Sequence, residues 1–146
     1  MSTDKLFYLA AKAIIRDKKG RILLFHAGLA PWRVIKEPYW DLPGGRIQSG
    51  QSALDALRYE IEEETGVTEI GEPKFITCVI SNHDVSTTKD QEIGLALFIY
   101  EVAIPKDSKI VMSKEHVAYE WVSNQEAAKR LAHKYPEDFR QLLVGL

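Results

Sequence analysis

A single cysteine, Cys78, occurs among the 146 residues, so no disulfide can close within the chain. Its place in the apolar run 75–80 predicts a buried, unreactive thiol. Long runs of Lys or Arg are absent and the formal net charge is −2. That argues against a nucleic-acid backbone as the main partner, because phosphate contacts need clustered cations. A small anionic ligand stays open, since a bound metal can supply positive charge. Nor is any segment apolar for long enough to span a bilayer. The N-terminal stretch, which superficially suggests a secretion signal, is interrupted by Lys12 and followed by charges. The expectation is therefore a cytoplasmic protein with no membrane partner. Internal repeats and low-complexity tracts are also missing.

What is present is an ordinary globular composition, 45% hydrophobic and 27% charged. The length suits one domain, residues 1–146, able to bury about two-thirds of its unfolded surface. Residues 6–15 and 21–25 read as strands joined by a tight turn at Gly20. Residues 27–38, with Pro31, Trp32 and Pro38, read as a loop, and YWDLPGG as one short strand ending in a Pro-Gly-Gly break. From 51 to 65 the pattern turns helical, with Leu54, Leu57 and Ile61 at spacings of three and four. Gly66 would stop that helix and Ser49 would cap its start. Strands follow at 74–81, 93–103 and 119–122, then helices at 124–134 and 136–143, with Pro136 suited to a first turn. Mixed strands followed by helices predict an α/β (α+β) sandwich with a mixed sheet.

The informative segment is GGRIQSGQSALDALRYEIEEETGV, residues 44–67. Helical geometry puts Glu60, Glu63 and Glu64 on one face, beside the apolar face of Leu54, Leu57 and Ile61. Ala53 and Ala56 leave room beside the carboxylates for a ligand. Glu62 points away and is expected to pair with Arg58. Three like charges on one face repel, and a hard divalent cation such as Mg²⁺ removes the repulsion while taking oxygen ligands. Judged alone, such a helix is more often a solvated acidic face. The glycines Gly44, Gly45 and Gly50 before it, which permit close backbone approach, make the combination harder to reach by chance.

The segment resembles the Nudix box of the MutT-like hydrolases. Gly45 opens the box, Glu60-Ile61 and Glu63-Glu64 match, and Gly66-Val67 closes it, over 23 residues. Gln51 stands where the family usually has Glu, and Tyr59 where it usually has Arg. The resemblance implies a Nudix-type α/β/α sandwich with a catalytic loop-helix. It also implies hydrolysis of the diphosphate linkage of a small nucleotide-like substrate, with a nucleoside triphosphate favoured. Glu60, Glu63, Glu64 and the Gly44 carbonyl would bind Mg²⁺, with Mn²⁺ as an alternative. Either Glu63 or Glu115, in the loop before Trp121, would be the general base, making Glu60, Glu63, Glu64 and Glu115 the catalytic set. Arg46 and Gly45 would contact the substrate's phosphates, and Arg33 is a further phosphate candidate. Trp32, Tyr39 or Trp40 are candidates to stack on a base, although aromatic residues near strands more often pack, and His116, following Glu115, is read as a solvent-exposed loop histidine. Tyr59 cannot supply a bidentate cation, and this leaves a second reading open: a Nudix-fold module that holds nucleotide without turning it over. A homodimer is common in the family, but no interface is legible.

Overall fold

The computed structural model describes residues 3–28, 37–85 and 92–146. Two sheets carry the architecture. The first is mixed, in the order β4 (Gly44–Arg46), β1 (Phe7–Ile15), β6 (Gly94–Val102), β5 (Lys74–Ile80), with β1 parallel to β6 and the other pairs antiparallel. The second is antiparallel, in the order β3 (Tyr39–Asp41), β2 (Ile22–Ala27), β7 (His116–Val122). Strand alternation divides the core. Ala10 and Ile14 of β1, with Ile22 and Leu24 of β2, pack with Leu131, Tyr135, Phe139 and Leu143. Ala11, Ala13 and Ile15, with Leu23 and Phe25, pack with Leu57 and Ile61 of α1 (Ala53–Thr65). Helix α1 thus covers one side, while α2 (Asn124–Arg130), a 3₁₀ turn (Leu131–His133) and α3 (Glu137–Gly145) cover the other. This is the expected α/β/α sandwich.

Local chemistry explains several departures from the expected boundaries. YWDLPGG is two strands rather than one: β3 ends in the second sheet, Pro43 crosses over, and β4 joins β1. The crossing is held by the Ala13 amide donating to the Pro43 carbonyl at 2.9 Å. Helix α1 begins at Ala53, and its cap is Ser52, not Ser49. Residues 48–51 form a turn instead, in which the Gln51 amide donates to the Gln48 carbonyl and the Gln51 side chain accepts from the Gln48 amide. Ser52 and Asp55 then close a reciprocal capping box. Gly66 ends the helix at φ 76°, a left-handed conformation that favours glycine. Arg58 pairs with Glu72 at 3.6 Å rather than with Glu62, because the chain after the helix returns alongside it. Pro136 sits at the cap of α3 rather than in its first turn. Cys78 is exposed, contrary to expectation. Strand β5 is the edge of its sheet, and there Val79 is buried while Cys78 faces outward. No helix among the described residues is long and apolar enough to cross a membrane.

Candidate active site

The β1–β4 pairing sets Gly44 opposite Lys12, at the foot of α1. Gly44 has φ 140°, and a Cβ there would run into the Ala11 carbonyl oxygen. A Cβ on Gly45 would lie 2.5 Å from the Glu60 carboxyl carbon. Both glycines are therefore required by close approach: the first to β1, the second to a carboxylate of α1. One turn further along α1, Glu64 accepts a hydrogen bond from the Gly44 amide at 3.1 Å. The glycine turn and the acidic helix face are thus fastened together.

Above the turn opens a cavity of about 480 Å³, lined among others by Glu60, Glu64, Glu115, Arg46, His116 and Lys134. Gly44 and Gly45 also line it. Glu63 does not; it is exposed, although its charge acts on Glu60. Among the described residues, no three His, Cys, Asp or Glu side chains converge closely enough to hold a metal ion. Of the glutamates singled out in the sequence, Glu60, Glu64 and Glu115 line the cavity, and the Asp41 and Asp84 carboxylates line it as well. The Gly44 carbonyl already accepts from Lys12 Nζ at 3.4 Å. Arg46 lies at the rim with its guanidinium 4.7 Å from the Tyr8 ring centre.

Tyr39 reaches the cavity and stacks on His133, whereas Trp40 packs against the core beneath the Arg130 guanidinium. Trp32 and Arg33 lie outside the described residues. His116 is not a loop residue. Strand β7 begins three residues earlier than the sequence pattern suggests, because His116 pairs with Ala27 beyond a bulge at Val117 of β7. Its ring stacks on Phe25 and its Nε2 lies 3.8 Å from Glu64. Glu115 lies in the preceding turn, as expected.

Beneath the cavity is a buried charge network that the sequence pattern does not reveal. Asp41 accepts from Lys12 Nζ at 3.1 Å, from Lys134 Nζ at 2.7 Å and from the Tyr135 hydroxyl at 2.6 Å. Burial alone would neutralise the Asp41 carboxyl, but Lys12 and Lys134 hold it well below the usual carboxylate range. Burial likewise opposes the Lys12 charge, and the Asp41 and Glu64 carboxylates outweigh it and raise the pKa. Lys134 is pushed down to about 8 by burial and by Lys12, against the attraction of Asp41. Burial pushes Glu64 up to about 8; Lys12 and the Gly44 amide oppose the shift, while Glu60 and Asp41 add to it. Glu60 is also raised, chiefly by burial, with Glu115 and Glu63 contributing. The neighbouring Glu60 charge adds to the upward shift of Glu64. The one hint in the sequence was Lys12 itself, a charge inside an apolar strand. Only the fold brings Lys12 and Lys134 onto Asp41, from 29 and 93 residues away in the chain respectively.

A family profile described as NUDIX domain matches residues 6–143. An octanoyltransferase of Myxococcus xanthus is 29% identical over 117 residues, which make up 80% of this chain and 30% of that protein. A putative 8-oxo-dGTP diphosphatase of Bacillus subtilis (strain 168) is 62% identical over 29 residues, 20% of each chain. The chain thus spans less than a third of the curated relatives it matches. The crystal structure of the MutT protein from Methanosarcina mazei Go1 is 24% identical with a TM-score of 0.65, covering 97% of this chain and 94% of that one. At that identity the likeness is one of fold.

Proposed function

Because the chain belongs to the NUDIX domain family, whose members cut phosphoric anhydride bonds, we propose that the acidic cavity hydrolyses the diphosphate linkage of a small nucleotide-like substrate. A nucleoside triphosphate is the favoured class, and residues 1–146 act as one catalytic unit. The observation that carries this reading is the junction of Glu60 and Glu64 with the Gly44–Gly45 turn, inside a cavity large enough for a nucleotide.

The residues present fit Mg²⁺, with Mn²⁺ as an alternative. Glu60 and Glu64 are hard oxygen donors whose raised pKa values reflect crowded, partly dehydrated negative charge. Glu60 and Glu64 would hold the ion with the Gly44 carbonyl beside them and water filling the remaining positions. Glu63, now outside the cavity, would join by turning inward. When bound, the ion neutralises charge on the diphosphate and eases ionisation of the attacking water. The chain's own residues supply the rest. Glu115 lines the cavity and Glu63 does not, which favours Glu115 as the group that accepts the water's proton. Arg46 at the rim and the Gly45 backbone would steady the phosphates, and Tyr39 supplies a ring at the cavity wall.

The departure at Tyr59 has a counterpart on β1. Tyr59 is 55% exposed and lies outside the cavity lining, so it does not serve as a cation for the glutamates. Lys12 takes that electrostatic part, since its charge acts on both Glu60 and Glu64 while its ammonium reaches the Gly44 carbonyl. The second reading, a module that binds nucleotide without turnover, draws on the same exposed Tyr59. The two readings separate in one experiment: phosphate or pyrophosphate release from a nucleotide panel with Mg²⁺ or Mn²⁺, beside Glu64→Gln. Metal-dependent turnover that disappears in the variant is the expected result. Nucleotide binding with no turnover of any panel member would favour the binding module.

A further inference from the structure

A second cavity, of about 530 Å³, shares no lining residue with the acidic one. It lies where the β1–β2 turn meets the segment after β6. Its apolar side is formed by Val102, Ile104 and Trp121, which belong to or pack against the α1-side core. The remaining wall is dominated by cations. Three carboxylates also line it, and each is engaged by an arginine: Asp17 by Arg21 at 2.8 Å, Glu101 by Arg16 at 3.9 Å, and Glu72 by Arg58 at 3.6 Å. Lys18, Lys19, Lys74 and Lys106 line the same cavity with no carboxylate partner among the described residues.

In a chain of net charge −2, this is a local concentration of positive charge around a concave, partly apolar space. Lysines from separate segments facing one opening repel one another, and an anion relieves that repulsion. The volume is that of a small-molecule pocket. The half-buried Trp121 offers a flat apolar surface of the kind that accepts an aromatic body. We infer that this cavity is a binding site for a phosphorylated aromatic small molecule of the nucleoside monophosphate class, separate from the acidic cavity. The lysines would hold the phosphate, and the Trp121 side would take the ring system. This inference does not depend on the acidic cavity being hydrolytic.

The test uses the full chain, ¹⁵N-labelled and in EDTA, titrated in turn with AMP, adenosine and inorganic phosphate. AMP carries no anhydride bond, and any binding in the acidic cavity would show separately, as shifts in 44–46 and 60–64. The expected result is a saturable shift of the Trp121 indole resonance and of amides in 16–21 and 103–108. The affinity should fall as salt rises, and AMP should bind more tightly than adenosine or phosphate alone. The charge-reversed double variant Lys74→Glu/Lys106→Glu should bind AMP about tenfold more weakly, with the rest of its spectrum unchanged. Three results would each overturn the inference: no saturable shift, shifts confined to 44–46 and 60–64, or adenosine or the double variant matching AMP with the wild-type chain.

Discussion

Two adjacent glycines make opposite demands on the chain. At Gly44 an added methyl meets backbone, the Ala11 carbonyl, at a φ of 140° that side chains rarely adopt. Neither strand can give way without losing the β1–β4 pairing, so Gly44→Ala should destabilise the fold by roughly 3 kcal/mol or more. At Gly45 the added methyl meets only the end of a flexible side chain, the Glu60 carboxyl. Gly45→Ala should therefore fold with nearly unchanged stability but push Glu60 out of position. In an assay with any substrate the nucleotide panel yields, kcat/KM should fall about 100-fold, the scale of a misplacement near 1 Å. Urea unfolding beside steady-state kinetics separates the two variants. If both lost stability equally, or if Gly45→Ala kept full activity, the assignment of Glu60 to the reacting centre would be wrong.

Helix α1 carries the carboxylates, so its start determines their register. Ser52 caps it within a reciprocal box with Asp55, whereas Ser49 belongs to the preceding turn. Ser52→Ala should cost about 1 kcal/mol, lowering the melting temperature by roughly 3 °C for a domain of this size. Ser49→Ala should leave it unchanged. Equal effects from the two would mean that the helix begins a turn earlier, where the sequence pattern first suggested. The apolar spacing of Leu54, Leu57 and Ile61 made the helix legible, and Gly66 marked its end. The cap was not legible, because Ser49 and Ser52 are both of a capping type and only the hydrogen bonds distinguish them. Helical spacing likewise grouped Glu60, Glu63 and Glu64. Which of them faces a cavity depends on where β7 and the glycine turn lie, and only Glu60 and Glu64 do so.

Across the whole molecule, the buried charges couple folding to pH in two opposite senses. Asp41 has a depressed pKa in the folded chain, so its contribution is present above its ordinary 3.8 and is lost as pH falls below that. Glu64 is the reverse: its folded pKa of about 8 stands above the ordinary 4.5. The folded chain keeps a proton that the unfolded chain has lost, so stability is full below 4.5 and declines as pH rises through 8. Glu60 shifts in the same direction. In EDTA, unfolding free energy should fall by on the order of 3 kcal/mol between pH 5 and pH 8. Glu64→Gln should flatten that decline. If Mg²⁺ binds the ionised pair, adding it should restore stability increasingly as pH rises. A pH-independent Mg²⁺ effect, or a decline that persists in Glu64→Gln, would count against the proposed role of Glu64.

By itself, the sequence determined the local features: strand and helix periods, the glycine turn, and the spacing of the glutamates along one helix. These depend on side chains a few residues apart, and such relations survive in a linear reading. The tertiary structure alone decided which charges are buried and what they meet. Lys12 reads as an interruption of an apolar run, yet strand pairing turns it toward Asp41 and the glycine turn. Lys134 reads as the end of a helix and Tyr135 as the gap before the next, yet the packing of the 3₁₀ turn against β3 brings both onto the same carboxylate. Cys78 reads as core, yet its strand is an edge and its face is outward. Burial and long-range charge are properties of neighbours that are distant in the chain, and those neighbours exist only once the two sheets and three helices are assembled.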